Sequence, residues 1–281
     1  MKLIKPQAIP GTYGVLDAPV FGTLEFTSDF PSRDGNDLNT AQAFETARHE
    51  ARIFQRDVQV QSLGHAIVAR VAFYNDNKDS KKGWYRTNEP QKTSTVSLKF
   101  KDANEIFTAF IELGTDGQSL ALVWEMYDAE RHGRELLKPL DNPLVSRLVQ
   151  IARDNKRICP AVDARPLKLS TSQKNGRSDY GQNPNIIAVI GNVELAELNA
   201  AYLQERGAEH GCLWTFTRAS LENILARNDH EFIPADHALI QPVGLGGINS
   251  HGHIGYVSIG AFGFFSDARA RGVVGARKFS W

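Results

Sequence analysis

Hydrophobic positions along the chain follow two periods. Ala41, Phe44, Ala47, Ala51 and Phe54 recur at helical spacing. That stripe predicts an amphipathic helix over 40–56, with Asn39 as its cap behind an Asp34-Gly35-Asn36-Asp37 turn. Upstream, Val20, Leu24 and Phe26 stand among small and polar residues, which predicts a strand with flanking turns within 11–30. Downstream the period falls to two. Val58 and Val60, then Ile67, Ala69, Val71 and Phe73, then Val96, Leu98 and Phe100 alternate with more polar neighbours, the mark of half-buried strands. Residues 106–127 hold two apolar runs around Gly114-Thr115-Asp116-Gly117, which predicts a hairpin with glycine where positive φ is needed.

The helical period returns after Asn142-Pro143, with Leu144, Val145, Leu148, Val149 and Ala152 on one stripe and proline at the first position. Residues 163–184 are polar and turn-rich, so they read as a long loop or extended hairpin that protrudes from the core. Ile186–Ile190 reads as a strand, 193–206 as a helix closed by Gly207, and Cys212–Phe216 as the next strand. Leu221, Ile224 and Leu225 mark a short helix, and 239–243 and 254–265 the closing strands. This order predicts an α+β fold with a ferredoxin-like, RNA-recognition-like core and antiparallel β insertions, as a single domain over 1–281.

Composition narrows the function classes. With 42% hydrophobic and 23% charged residues among 281, the chain is an ordinary globular one, and 32 basic residues balance 32 acidic ones. No global field draws it to nucleic acid or membrane, so an anionic partner must be met by local clusters. Cys159 and Cys212 are too few and too far apart for a disulfide framework or zinc knuckle and read as buried free thiols. No apolar run suits a signal peptide or a bilayer span, so the expected location is cytoplasmic, with no membrane partner.

The most unusual segment is Gly244-Leu245-Gly246-Gly247-Ile248-Asn249-Ser250-His251-Gly252-His253-Ile254-Gly255-Tyr256-Val257. Glycine at this density implies close backbone approach or positive φ. A strand rather than a helix follows, and no GxxxxGK[ST] pattern is present, so it is neither a dinucleotide fingerprint nor a P-loop. The order Leu-Gly-Gly, Ser250, Gly252, Gly255-Tyr256-Val257 resembles the glycine-rich loop of the repeat-associated mysterious protein (RAMP) superfamily, the guide-RNA-binding subunits of CRISPR effector complexes in antiviral defence. His251 stands where that loop usually carries arginine or lysine. The resemblance implies an RNA-recognition-like domain, a ribonucleoprotein with other protein subunits or copies of itself as partners, and RNA contacts at Gly246, Gly247, Ser250, His251 and Gly252.

Local clusters fit the same partner. Lys78, Lys81, Lys82, Arg86 and Lys92 interleave with Trp84 and Tyr85, cations for phosphates and rings for bases. Lys168, Lys174 and Arg177 form a second group, and Arg269, Arg271, Arg277 and Lys278 a third. The function expected is therefore a non-catalytic RNA-binding subunit, without cofactor. Two alternatives stand beside it. One is a metal- or histidine-dependent enzyme centred on 229–253, where Asp229, His230, Glu231, His237, His251 and His253 gather in sequence. The other is a self-assembling structural protein of a phage particle.

Overall fold

A computed structural model describes residues 3–4, 12–18, 20–29, 40–55, 57–76, 91–160, 165–171, 176–215, 233–248, 254–260 and 271–274. They build two sheets. The first runs in spatial order β1 (Leu3–Ile4), β2 (Thr12–Ala18), β3 (Gly22–Asp29), β13 (Arg271–Val274) and β4 (Val58–Val60). Its strands are antiparallel, so the last described strand closes against the first segments of the chain. The span 11–30 is thus two strands rather than one, joined at Gly22 with φ of 72°.

The second, central sheet runs β8 (Ile158–Pro160), β6 (Glu105–Glu112), β5 (Gln91–Asp102), β11 (His237–Ile248), β12 (Ile254–Ile259), β10 (His210–Thr215) and β9 (Leu167–Lys168). A further strand, β7 (Leu136–Pro139), pairs with the first residues of β11. Only β10 and β12 are parallel among the described strands. A ferredoxin-like core sets two β-α-β units side by side. This order does not, although the α+β class holds.

Helix α2 (Leu63–Asp76) packs in one core with Ala18, Leu24 and Phe26 of the first sheet and Phe110, Val243 and Leu245 of the second. The spacing of Ile67, Ala69, Val71 and Phe73 predicts a strand, and the structure overturns that. From Leu63 to Phe73 every residue is buried, so no polar stripe exposes the helical period. On the other face of the central sheet, α1 (Thr40–Phe54), α3 (Gly117–Arg131) and α4 (Pro143–Asp154) cover Val96, Leu98 and Phe100.

Helix α3 replaces the predicted hairpin. The Asp116 carboxylate caps it by accepting from the Gln118 and Ser119 N–H groups at 2.9 and 3.0 Å. Partial burial pushes that carboxyl up, but the bonds from Ser119 and Gln118 bring it below its ordinary value. Ile186–Ile190 belongs to a helix too, α6 (Pro184–Ile190), capped by Asn183 and ended by Gly191 at φ 89°. Helix α5 (Asp179–Gln182) precedes it and α7 (Val193–Glu205) follows. The described part of 163–184 does not simply protrude, because Leu169, Ser178 and Tyr180 are buried and β9 joins the central sheet. The expected helix at 221–225 lies outside the described residues. Both thiols are free and buried, and burial pushes each up to about 12, which leaves them inert near neutral pH.

Candidate functional site

Strand register brings several separate stretches of sequence to one end of the central sheet. Gln91 opens β5 opposite Leu245 of β11, and Ile248 stands opposite Gly255 at the start of β12. His210, the first residue of β10, pairs with Ile254 on one side and Lys168 on the other. Helix α2 runs towards the same end. Its first N–H, on Leu63, donates to Thr95 Oγ1 in mid-β5, while Arg70, two turns on, reaches Leu245 and Gly246. The anchors of segment 77–90 (Asp76 and Gln91), of segment 249–253 (Ile248 and Ile254) and of β9 therefore lie together.

That end is braced from within by polar side chains. Arg70 is only 2% exposed, and its guanidinium donates to the carbonyls of Gly246 and of Leu245, the latter at 3.3 Å. Those carbonyls sit where the β11–β12 register slips between Leu245 and Ile248, so the arginine satisfies groups that the bulge frees from the ladder. Thr93 Oγ1 donates to the Val243 carbonyl at 2.5 Å, and Gln61 Nε2 donates to Gln91 Oε1 at 3.1 Å and to the Lys92 carbonyl at 3.3 Å. In the low dielectric of a core such bonds are costly to break, so the strand ends are held rigidly.

The glycines here have structural duties. A Cβ on Gly255 would run into Leu203 of α7, and one on Gly211 would lie 2.5 Å from Tyr180 Cδ2. Both let a helix close on the sheet. Gly246 and Gly247 lie within β11, and the Gly246 carbonyl is one of the two that Arg70 holds. Close backbone approach is thus used internally at Gly211 and Gly255.

Of the predicted contact residues, Lys168 is exposed on β9 and Arg177 is exposed beside the Thr171–Ser178 bridge. Lys78, Lys81, Lys82, Trp84, Tyr85, Arg86, Lys174, Ser250, His251 and Gly252 lie outside the described residues, but their flanking anchors fall at this end. Of the histidine constellation, His237 alone lies among the described residues; Asp229, His230, Glu231, His251 and His253 lie outside them. His237 begins the twelve-residue β11, where Nδ1 lies 2.8 Å from Asp236, and segment 249–253 attaches at the opposite end of that strand. Twelve extended residues span roughly 35 Å. Among the described residues no three His, Cys, Asp or Glu side chains gather as metal ligands.

Sequence reasoning missed a groove of about 580 Å³ between α3 and β7, lined by Trp124, Glu125, Asp128, Arg134, Leu136 and Leu137 among others. The Trp124 Nε1 donates to Glu45 at 3.1 Å and its ring meets Tyr127 edge-on at 5.6 Å. Lys138 and Arg134 already pair with Glu125 and Asp128 at its rim. In sequence the segment that carries the indole reads as a hairpin arm, which hides the groove.

No protein-family model matches the chain, and no curated protein matches it. Among solved structures it is similar to one reported under the words "Accommodation of massive sequence variation in Nanoarchaeota by the C-type lectin fold". The TM-score is 0.51 at 16% identity, over 85% of this chain and 95% of that one. At such identity the likeness is one of fold alone, and it points to the C-type lectin fold in place of the expected ferredoxin-like core.

Proposed function

We propose that this chain is a non-catalytic binding protein whose C-type lectin-like scaffold holds recognition segments at the β11–β12 turn end, and that single-stranded RNA is the ligand there. One observation carries the reading. Pairing of Gln91 with Leu245 and of His210 with Ile254 and Lys168 gathers at one sheet end the anchors of segments that are far apart in sequence. A rigid sheet with variable connections at its end is a common arrangement for recognition. The similar solved structure is reported to accommodate massive sequence variation, which suits a frame that keeps its shape while its connections change.

RNA is proposed on side-chain chemistry: Lys78, Lys81, Lys82 and Arg86 for phosphates, Trp84 and Tyr85 for bases. Membership of a guide-RNA complex would be a narrower reading, resting on the resemblance of the glycine-rich segment. The test is fluorescence anisotropy with labelled oligouridine across a salt series. Lys81→Ala, Lys82→Ala and Arg86→Ala combined should weaken binding and flatten the salt slope by about two, near 0.7 for each phosphate left without its cation. Absence of any binding at low salt, together with no nuclease-sensitive 260 nm absorbance in the purified protein, would sink the RNA assignment.

A further inference from the structure

Helices α2 and α7 finish side by side. Tyr74, in the last turn of α2, meets Tyr202, in the last turn of α7, edge-on with ring centroids 5.5 Å apart. Arg206 caps α7, and its guanidinium carbon lies over the Tyr74 ring, 5.2 Å from the centroid. The sequence prepares both partners. Tyr74 follows Arg70 by four residues, so it shares a face of α2 with the side chain that braces β11. Beyond Arg206 the chain turns at Gly207, with φ of 88°. The Gly207 N–H donates to the Gln204 carbonyl at 2.9 Å and the Ala208 N–H to the Leu203 carbonyl at 3.0 Å. This is a Schellman motif, and it fixes the backbone that carries Arg206.

The stack lies among the anchors of the recognition segments. Asp76, two residues beyond Tyr74, is the root of segment 77–90. His210, four residues beyond Arg206, pairs with Ile254, where segment 249–253 rejoins the sheet. Tyr202 is 3% exposed, whereas Tyr74 and Arg206 are half-buried, so the stack rests on the core and keeps surface towards water. Charge at this spot is balanced, because exposed Asp76, Glu205 and Glu209 accompany Arg206, His210 and Lys168. No surplus of positive charge draws phosphates here. What the stack supplies is a planar cation held over a ring, and a guanidinium plane takes a nucleobase by stacking.

We propose that Arg206, positioned by Tyr74, is a base-stacking site for single-stranded RNA at the β11–β12 turn end. The site rests on the RNA reading above and adds a base contact distinct from the phosphate contacts assigned to segment 77–90. Tyr74 is a positioning residue, since it backs the guanidinium and leaves the base to Arg206. Stacking on a plane accepts any base, so the site adds affinity without reading sequence.

The test is fluorescence anisotropy on the full chain with two labelled strands of equal length, oligouridine and its abasic counterpart. Arg206→Lys keeps the charge and removes the plane. It should weaken oligouridine binding by about tenfold, the scale of one lost base stack. Affinity for the abasic strand and the salt slope should not change, because no phosphate contact is lost. Equal weakening of both strands, or of neither, overturns the base site while wild-type binding leaves the RNA reading standing. A wild type that binds neither strand removes the RNA reading and the base site together. Should Arg206→Lys fail to fold, heteronuclear NMR of the wild type decides. The Arg206 Nε–H resonance should move when oligouridine is added and stay in place with the abasic strand. The same response to both strands refutes the site.

Discussion

Helices α2 and α4 are close in length, 14 and 12 residues, and opposite in how their polar groups are satisfied. Helix α4 buries Val145, Leu148, Val149 and Ala152 on one stripe and leaves its charged side chains to water. Helix α2 is buried on all sides as far as Phe73, so His65 and Arg70 must be served by protein atoms. Water forgives a missing partner at α4, whereas on α2 Arg70 ties the helix to β11 and His65 is held by the residue that caps it. Equivalent changes should therefore cost more on α2, and four substitutions grade the difference.

The largest effect is expected from Arg70→Met. Methionine fills much of the space but leaves the Leu245 and Gly246 carbonyls buried without their donor. A loss of about 3 kcal/mol in a urea or guanidinium titration is expected, the range for breaking a buried charged hydrogen-bond pair. A loss below about 1 kcal/mol would mean that the bulge does not need its brace.

The same motif on each helix gives the sharpest pairing. Ser62→Ala removes a buried cap and strands the His65 N–H, for about 2 kcal/mol. Asn142→Ala removes a half-buried cap whose Oδ1 accepts from Leu144 and Val145 N–H at 3.0 and 3.4 Å, for about 1 kcal/mol, because water can reach those donors. Equal losses from the two would erase the distinction between the helices.

The same contrast explains what could be read from sequence. Asn142-Pro143 followed by a stripe of Leu, Val and Ala announces α4 because one face meets water and the other does not. Helix α2 has no such contrast, and its alternating Val and Ala imitate a strand. Asp116-Gly117 can open either a hairpin or a helix, and only the bond that the Ser119 N–H donates to Asp116 decides. The candidate site was legible as chemistry and not as place. The cations and rings near 78–86 stand out by type, but the nearness of Gln91, where their segment rejoins the sheet, to the glycine-rich segment follows from the pairing of β5 with β11, across 154 positions of sequence between Gln91 and Leu245. The glycines misled for a related reason. Positions such as Gly255 are small to admit Leu203 from a helix in the same core, a need set by tertiary packing alone.

The smallest effect belongs to the ion pair that links α4 to the central sheet. Arg153 Nη2 lies 3.2 Å from Asp102 Oδ2, joining the last turn of the helix to the end of β5. By geometry it resembles a tether, as Arg70 is for α2. But the two side chains are 51% and 55% exposed, so either partner regains water when the other is removed, and salt screens their attraction. Asp102→Asn should therefore change stability by no more than about 0.5 kcal/mol at low salt. Wild type and variant should coincide in 1 M sodium chloride, where the screening length is roughly 3 Å. A low-salt loss above about 1.5 kcal/mol, persisting at high salt, would show that α4 is held by its polar groups much as α2 is, and burial would no longer account for the difference between the helices.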